Sequence, residues 1–213
     1  MKQINTKNGI ITYKEKVFTV NNKQLNIKTA KKNLLDVKKI IDSHQIKFGL
    51  IYGTLLGAIR ENNFIEHDED IDLFVLEEDK EDLLSILKEI IDLGFEVVRY
   101  DGKLLSIIRH DEYIDFYFFR KTNFFYRKCE VGLVAKAKYL EKTKDYLFLG
   151  ELFQVPIETE KFLIDLYGKN WRIPIKNDPS MNHNRYIIIR ERIKKHAPFL
   201  FKIISKTKKL LNN

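Results

Sequence analysis

Between residues 28 and 45 apolar side chains return at Leu34, Leu35, Val37, Ile40 and Ile41. That spacing predicts a helix with one buried face, and Thr29 stands where its cap is expected. FGLIYG reads as a short buried strand ending in glycine, and TLLGAIREN as a helical turn or two closed by the polar pair Asn62 and Asn63. The run IDLFVL predicts the next strand, and KEDLLSILKEIIDLG a helix ended by Gly94. Three further strands are expected in FEVVRYD, KLLSIIRH and EYIDFYFF, with Asp101-Gly102 as a hairpin turn between the first two. Weaker extended segments lie around Phe124–Tyr126 and Tyr146–Val155, and ETEKFLIDLYG restores a helix ending at Gly168. The predicted class is α/β (α+β): a small, largely antiparallel or mixed sheet with flanking helices and a helical carboxyl end.

A chain of 213 residues suits one domain with a real core. We divide it into an amino-terminal extension over 1–27, a catalytic domain over 28–184 and a basic tail over 185–213. The net charge of +8 changes the picture only at that tail, which holds nine Lys or Arg against the single Glu191. There the bases alternate with Ile, Phe and Leu, and Pro198 is expected to split two short helices. Such a tail fits a cap on the domain or a helix lying on an anionic membrane face. Nucleic acid is the weaker partner, because the rest of the chain is neutral and carries no nucleic-acid motif. The aromatic stretch from Phe116 to Lys128 reads as core and strand edge. Cys129 stands alone, which excludes an internal disulfide and a cysteine-based zinc site. No stretch has the shape of a signal peptide or a membrane span, so a cytoplasmic protein is expected.

The candidate chemistry lies in EHDEDID, where five carboxylates occupy residues 66–72 just before an apolar run. Alternation along a strand turns Asp70 and Asp72 to one face and Ile71 and Leu73 to the core. Asp68 keeps that parity if extension begins early. Carboxylates crowded on one face repel, and a protein that keeps them ionised supplies a cation. Magnesium, or manganese in its place, is the natural choice, because it takes one or two carboxylates and shares its shell with phosphates. Asp115 is the only acid inside EYIDFYFF, on the face shared with Tyr113 and Tyr117. It meets Asp70 and Asp72 if the two strands are neighbours, to complete the metal site or to take a proton from an attacking hydroxyl. Gly53 and Thr54 stand where a strand turns into a helix, offering N–H groups and a hydroxyl to a phosphate.

A Gly-Thr turn, an Asp-x-Asp strand and a later strand Asp resemble the pattern of polymerase-beta-like nucleotidyltransferases. The longer string is more specific: Gly53 to Arg60, then Phe64 and Ile65, then Asp68, Asp70 and Asp72. With Tyr113-Ile114-Asp115-Phe116 and the closing motif of Pro156, Leu163, Tyr167-Gly168, Trp171 and Pro174, the chain is identified as a member of the LicD family over roughly residues 47–175. His67 takes a place often filled there by Trp, and Glu69 one often filled by Asp.

The resemblance implies a metal-dependent phosphotransferase on a nucleotidyltransferase-like fold. It would move phosphocholine, or in the fukutin branch ribitol phosphate, from a CDP-linked donor to a sugar hydroxyl of a surface glycan precursor, on a carrier that can be a lipid. In that scheme Asp68, Asp70, Asp72 and Asp115 form the metal set, and Asp70, Asp72 and Asp115 the catalytic set. Gly53, Thr54, Arg60, Tyr167 and Trp171 would bind substrate, Arg60 as a planar fork on phosphate. The plainer readings are that Arg60 pairs with a nearby acid and that Tyr167 and Trp171 pack. Alternatives for the whole are a CDP-ribitol or CDP-glycerol dependent enzyme, a nucleotidyltransferase acting on an NTP, and a catalytically silent module that binds membrane or nucleic acid.

Overall fold

The computed structural model describes residues 1–16, 24–66, 68–129 and 134–174. In chain order the elements are β1 (Lys2–Thr6), β2 (Gly9–Tyr13), α1 (Ile27–Ser43), β3 (Phe48–Leu50), α2 (Tyr52–Glu61) and β4 (Asp70–Leu76). A 3₁₀ turn over Glu77–Asp79 leads into α3 (Lys80–Ser85) and α4 (Leu87–Asp92). Then come β5 (Glu96–Tyr100), β6 (Leu104–Arg109), β7 (Glu112–Lys121), β8 (Tyr126–Lys128) and β9 (Val134–Lys136). The remaining elements are α5 (Ala137–Glu141), β10 (Thr143–Phe148), β11 (Glu151–Pro156) and α6 (Thr159–Tyr167).

The main sheet runs β3-β4-β7-β6-β5, and β8 and β9 extend the far end of β7. Among the described residues only β4 and β7 run parallel; the other pairs of this sheet are antiparallel. This is the mixed sheet with flanking helices that the alternation predicts. Ile71, Leu73, Val75, Ile114 and Phe116 are fully buried. Each such side chain contributes about 1.5–3 kcal/mol of burial, which fixes the two central strands and whatever they carry on the opposite face.

Local details differ from the sequence reading for identifiable reasons. Helix α1 is capped by Asn26, whose side chain accepts from the Thr29 N–H at 3.1 Å, so Thr29 is the capped residue rather than the cap. The single helix expected over 80–94 is broken at Ile86, where the Ser85 hydroxyl donates back to the Asp82 carbonyl at 2.7 Å. Such back-bonding bends helices. The segment read as an extension begins with the β1–β2 hairpin, and its Ile4 and Tyr13 join the core. The basic tail at 185–213, the break at Pro198 and the side chain of His67 lie outside the described residues.

Candidate active site

Register sets the site. Asp72 on β4 lies opposite Asp115 on β7, Ser106 on β6 opposite Asp115, and Arg99 on β5 opposite Ser106. Opposed residues share a face of the sheet. A row therefore runs Arg99, Ser106, Asp115, Asp72 across four strands, with Asp70 two residues along the same face. Arg99 donates through Nη2 to Asp115 Oδ2 at 2.7 Å and through Nε to Ser106 Oγ at 2.9 Å. The Tyr117 hydroxyl donates to the same Asp115 oxygen at 3.5 Å, a weak contact.

The first turn of α2 closes over this row. The Gly53 N–H donates to Asp72 Oδ2 at 3.0 Å, and buried Thr54 Oγ1 accepts from the Asp72 N–H at 2.8 Å. The Gly53 N–H, expected to face a phosphate, is thus turned to the Asp72 carboxylate, while the Thr54 hydroxyl oxygen holds the Asp72 backbone. Asp68 lies against Gly53, so near that a Cβ there would stand 2.9 Å from Oδ1 and 3.0 Å from Cγ. Tyr52, the first residue of α2, has φ 46°, an uncommon conformation for a residue with a side chain. Its ring packs edge-on against Tyr117 at 4.8 Å, and its hydroxyl meets Cys129 Sγ at 3.0 Å.

The electrostatics are those of a negative cluster short of counter-charge. Desolvation, and then the neighbouring carboxylates, hold Asp70 up to about 8. Desolvation holds Asp68 up to about 7, with Glu69 and Glu61 adding to it. Asp72 is raised well above its ordinary value by burial, then by Asp70, Asp68 and Asp115. Asp115 is raised by burial, against which Arg99 pulls it down. In this cluster Asp68 Oδ2 and Asp115 Oδ1 are buried and have no hydrogen-bond partner among the described residues. Among the described residues no three His, Cys, Asp or Glu side chains close into a cage for a metal. Asp68, Asp70, Asp72 and Asp115 are thus brought to one end of the sheet without forming a complete ligand set.

Other expected residues separate. Arg60 pairs with Glu61, Nε to Oε1 at 2.9 Å, yet its charge still lowers Asp68 and Tyr167, so it lies at the cluster's edge. Tyr167, at the end of α6, is raised by burial and then by Asp72 and Asp68, which brings it to the site. Trp171 is 3% exposed, belongs to the core, and carries Arg172 over its ring at 4.3 Å. Its large apolar surface is consumed by packing.

The family model described as LicD/FKTN/FKRP, nucleotidyltransferase domain, matches residues 45–158. The chain belongs to the LicD family. The matched segment spans β3 to β11 and includes every carboxylate of the cluster. An uncharacterized protein of Rickettsia prowazekii is 29% identical over 177 residues, covering 83% of this chain and 63% of that protein. The ribitol-5-phosphate transferase FKTN of Homo sapiens is 27% identical over 161 residues, covering 70% of this chain and 34% of that protein. The chain thus spans less than two thirds of the length of these relatives. Among solved structures, ANT(2″)-Ia in complex with adenylyl-2″-tobramycin overlaps with a TM-score of 0.47 at 14% identity, over 87% of this chain and 99% of that one.

Within the LicD segment, Arg99 and Ser106 are site residues that the motif reading missed. Their signal lay in the Asp101-Gly102 hairpin, which sets β5 against β6. The register also shifts between Val97 and Arg99, however, and that shift decides which β5 side chain meets Ser106.

Proposed function

We propose that this LicD protein transfers a phosphorylated alcohol from a CDP-activated donor to a sugar hydroxyl of a cell-surface glycan precursor, with magnesium or manganese held at the carboxylate cluster. The observation that carries this reading is the in-register pair Asp72 and Asp115 on parallel strands, with Asp115 Oδ1 and the neighbouring Asp68 Oδ2 both buried and without a hydrogen-bond partner among the described residues. Such oxygens are costly unless something satisfies them. The donor set is all oxygen, which suits a hard dication. An incomplete cage also suits magnesium, which takes one or two carboxylates and completes its shell with water and phosphate oxygens. Asp70 and Asp72 would hold it, with Asp68 beside them. When bound, the cation supplies positive charge to the donor's phosphates.

The chain's own residues do the rest. Asp115 is suited to accept the proton of the attacking hydroxyl at Oδ1: that oxygen has no hydrogen-bond partner among the described residues, burial raises the carboxyl's pKa, and Arg99 and Ser106 orient the carboxyl from the other side. The α2 turn keeps Asp72 in place through Gly53 and Thr54. Arg60 would exchange Glu61 for a phosphate oxygen, and Tyr167 would wall the pocket.

Phosphocholine is the head group expected from the sequence. Similarity to FKTN, a ribitol-5-phosphate transferase, favours ribitol phosphate as a second reading. Nucleotidyl transfer from an NTP is the enzyme alternative. We place the reaction in the cytoplasm, where lipid-linked acceptors are built. The test offers CDP-choline, CDP-ribitol, CDP-glycerol and the four NTPs with magnesium and a glycolipid extract. CMP release supports the proposal and names the head group. Pyrophosphate release replaces it with nucleotidyl transfer, and silence with every donor favours a binding module.

A further inference from the structure

β7 runs past the site to Lys121 and turns into β8 and β9, and the turn at its tip carries two phenylalanines in water. Phe124 is 85% exposed and Phe125 68%, their rings edge to face at 5.2 Å. The backbone beneath them is tightly held. Asn123 Oδ1 accepts from the N–H groups of Phe125 and Tyr126 at 2.9 and 3.1 Å, Thr122 Oγ1 donates to the Tyr126 carbonyl at 3.0 Å, and the Ala137 N–H donates to the Phe125 carbonyl at 2.8 Å. Paired exposed rings on an ordered turn mark an interaction site rather than an accident of packing.

The cations beside them sharpen the partner. Arg120 lies opposite Lys128, and Tyr126 opposite Lys136. Strand alternation puts Arg120, Tyr126, Lys128 and Lys136 on one face. Lys136 is engaged by Asp165 at 2.7 Å. Among the described residues neither Arg120 nor Lys128 has a salt-bridge partner, although like charges directly opposite one another destabilise a sheet. The acids nearby, Glu78 and Glu141, serve Arg127 and Lys121 on the other face.

We infer that this ribbon tip docks on an anionic lipid bilayer, with Phe124 and Phe125 entering the interfacial layer and Arg120 and Lys128 on headgroup phosphates. Aromatic rings flanked by cations suit that layer. A nucleic-acid strand is tracked by a positively charged groove with successive stacking rings, more than one hairpin turn with two phenylalanines supplies. In a symmetric dimer the tip would face its own cations. Asp115 and Arg120 are five residues apart on β7, about 17 Å along the strand, so docking at the tip leaves the carboxylate cluster open.

The test uses the full chain and phosphatidylcholine vesicles with and without phosphatidylglycerol. Binding is expected only with the anionic lipid. Phe124→Ser with Phe125→Ser should weaken it at least about tenfold, and Arg120→Gln and Lys128→Gln about fivefold each, all without lowering the melting temperature. In Phe124→Trp, the indole emission should move to the blue and be quenched by brominated anionic lipid. Unweakened binding by the Phe124→Ser and Phe125→Ser chain, with no shift of the indole, would overturn the inference and assign any lipid binding to another surface. So would a dimer, or an oligonucleotide complex, lost in the same variants. No readout here uses transferase activity, so the result stands apart from the proposed function.

Discussion

Gly53→Ala separates function from stability more cleanly than any other single change at the site. A Cβ at position 53 would meet Asp68 Oδ1 at 2.9 Å and Cγ at 3.0 Å, and Oδ2 closer still. Carbon and oxygen prefer about 3.3 Å or more, so the carboxylate must withdraw by about an ångström. The backbone itself does not object: Gly53 lies in the first turn of α2 and is not among the glycines with positive φ. At this first-turn position alanine carries no propensity penalty relative to glycine. Misplacement of a catalytic group by about 1 Å costs roughly 100-fold in rate. The expectation is an unchanged or slightly raised melting temperature, weaker manganese binding followed by calorimetry, and cation-dependent turnover down about 100-fold. Wild-type turnover and manganese affinity in Gly53→Ala would refute the reasoning. A variant that fails to fold would show that the close approach serves stability instead.

Other changes test separate parts of the structure. Glu78 is depressed to about 2 from its ordinary 4.5, chiefly by its hydrogen bonds with Arg127. A depressed acid stabilises the fold above its unfolded pKa and loses that contribution as pH falls through the folded value. Glu78→Gln should therefore flatten the acid limb of a stability-pH curve between 4.5 and about 2, and cost about 1 kcal/mol at neutral pH because solvent screens the pair. Gly49→Ala should destabilise by about 1–3 kcal/mol in urea melts through overpacking, since a Cβ there meets the Gln154 carbonyl and a Phe74 ring carbon at 2.5 Å. Arg99→Gln should lower turnover about tenfold with KM little changed, by loosening the orientation of Asp115; an unchanged kcat would remove Arg99 from the site.

Alternation makes most of the site legible in the sequence alone. It turned Asp70 and Asp72 to one face and marked Asp115 as their counterpart, and β4 and β7 are indeed adjacent and parallel. What it could not supply was the third dimension. A strand-to-helix turn exposes groups suited to a phosphate, yet the partners of Gly53 and Thr54 in the fold belong to Asp72, nineteen and eighteen residues on. Arg99 was hidden because its place depends on an irregularity of register between β5 and β6. The β1–β2 hairpin escaped because it buries little: in KQINT only Ile4 is buried, too weak an alternation to announce a strand. Phe124 and Phe125, counted with core and strand edge, stand out in solvent because Asn123 turns the chain just before them.

The central claim is that the carboxylates of β4 and β7 hold a divalent cation on which phosphoryl transfer depends. It is tested most directly by Asp72→Asn, with CMP release from the preferred CDP-linked donor followed across a manganese titration beside the wild-type chain. The amide keeps the side chain's size and an oxygen but removes its charge. The expected result is a folded protein whose cation-dependent CMP release is abolished at every manganese concentration. Undiminished release with an unchanged manganese dependence would contradict the assignment.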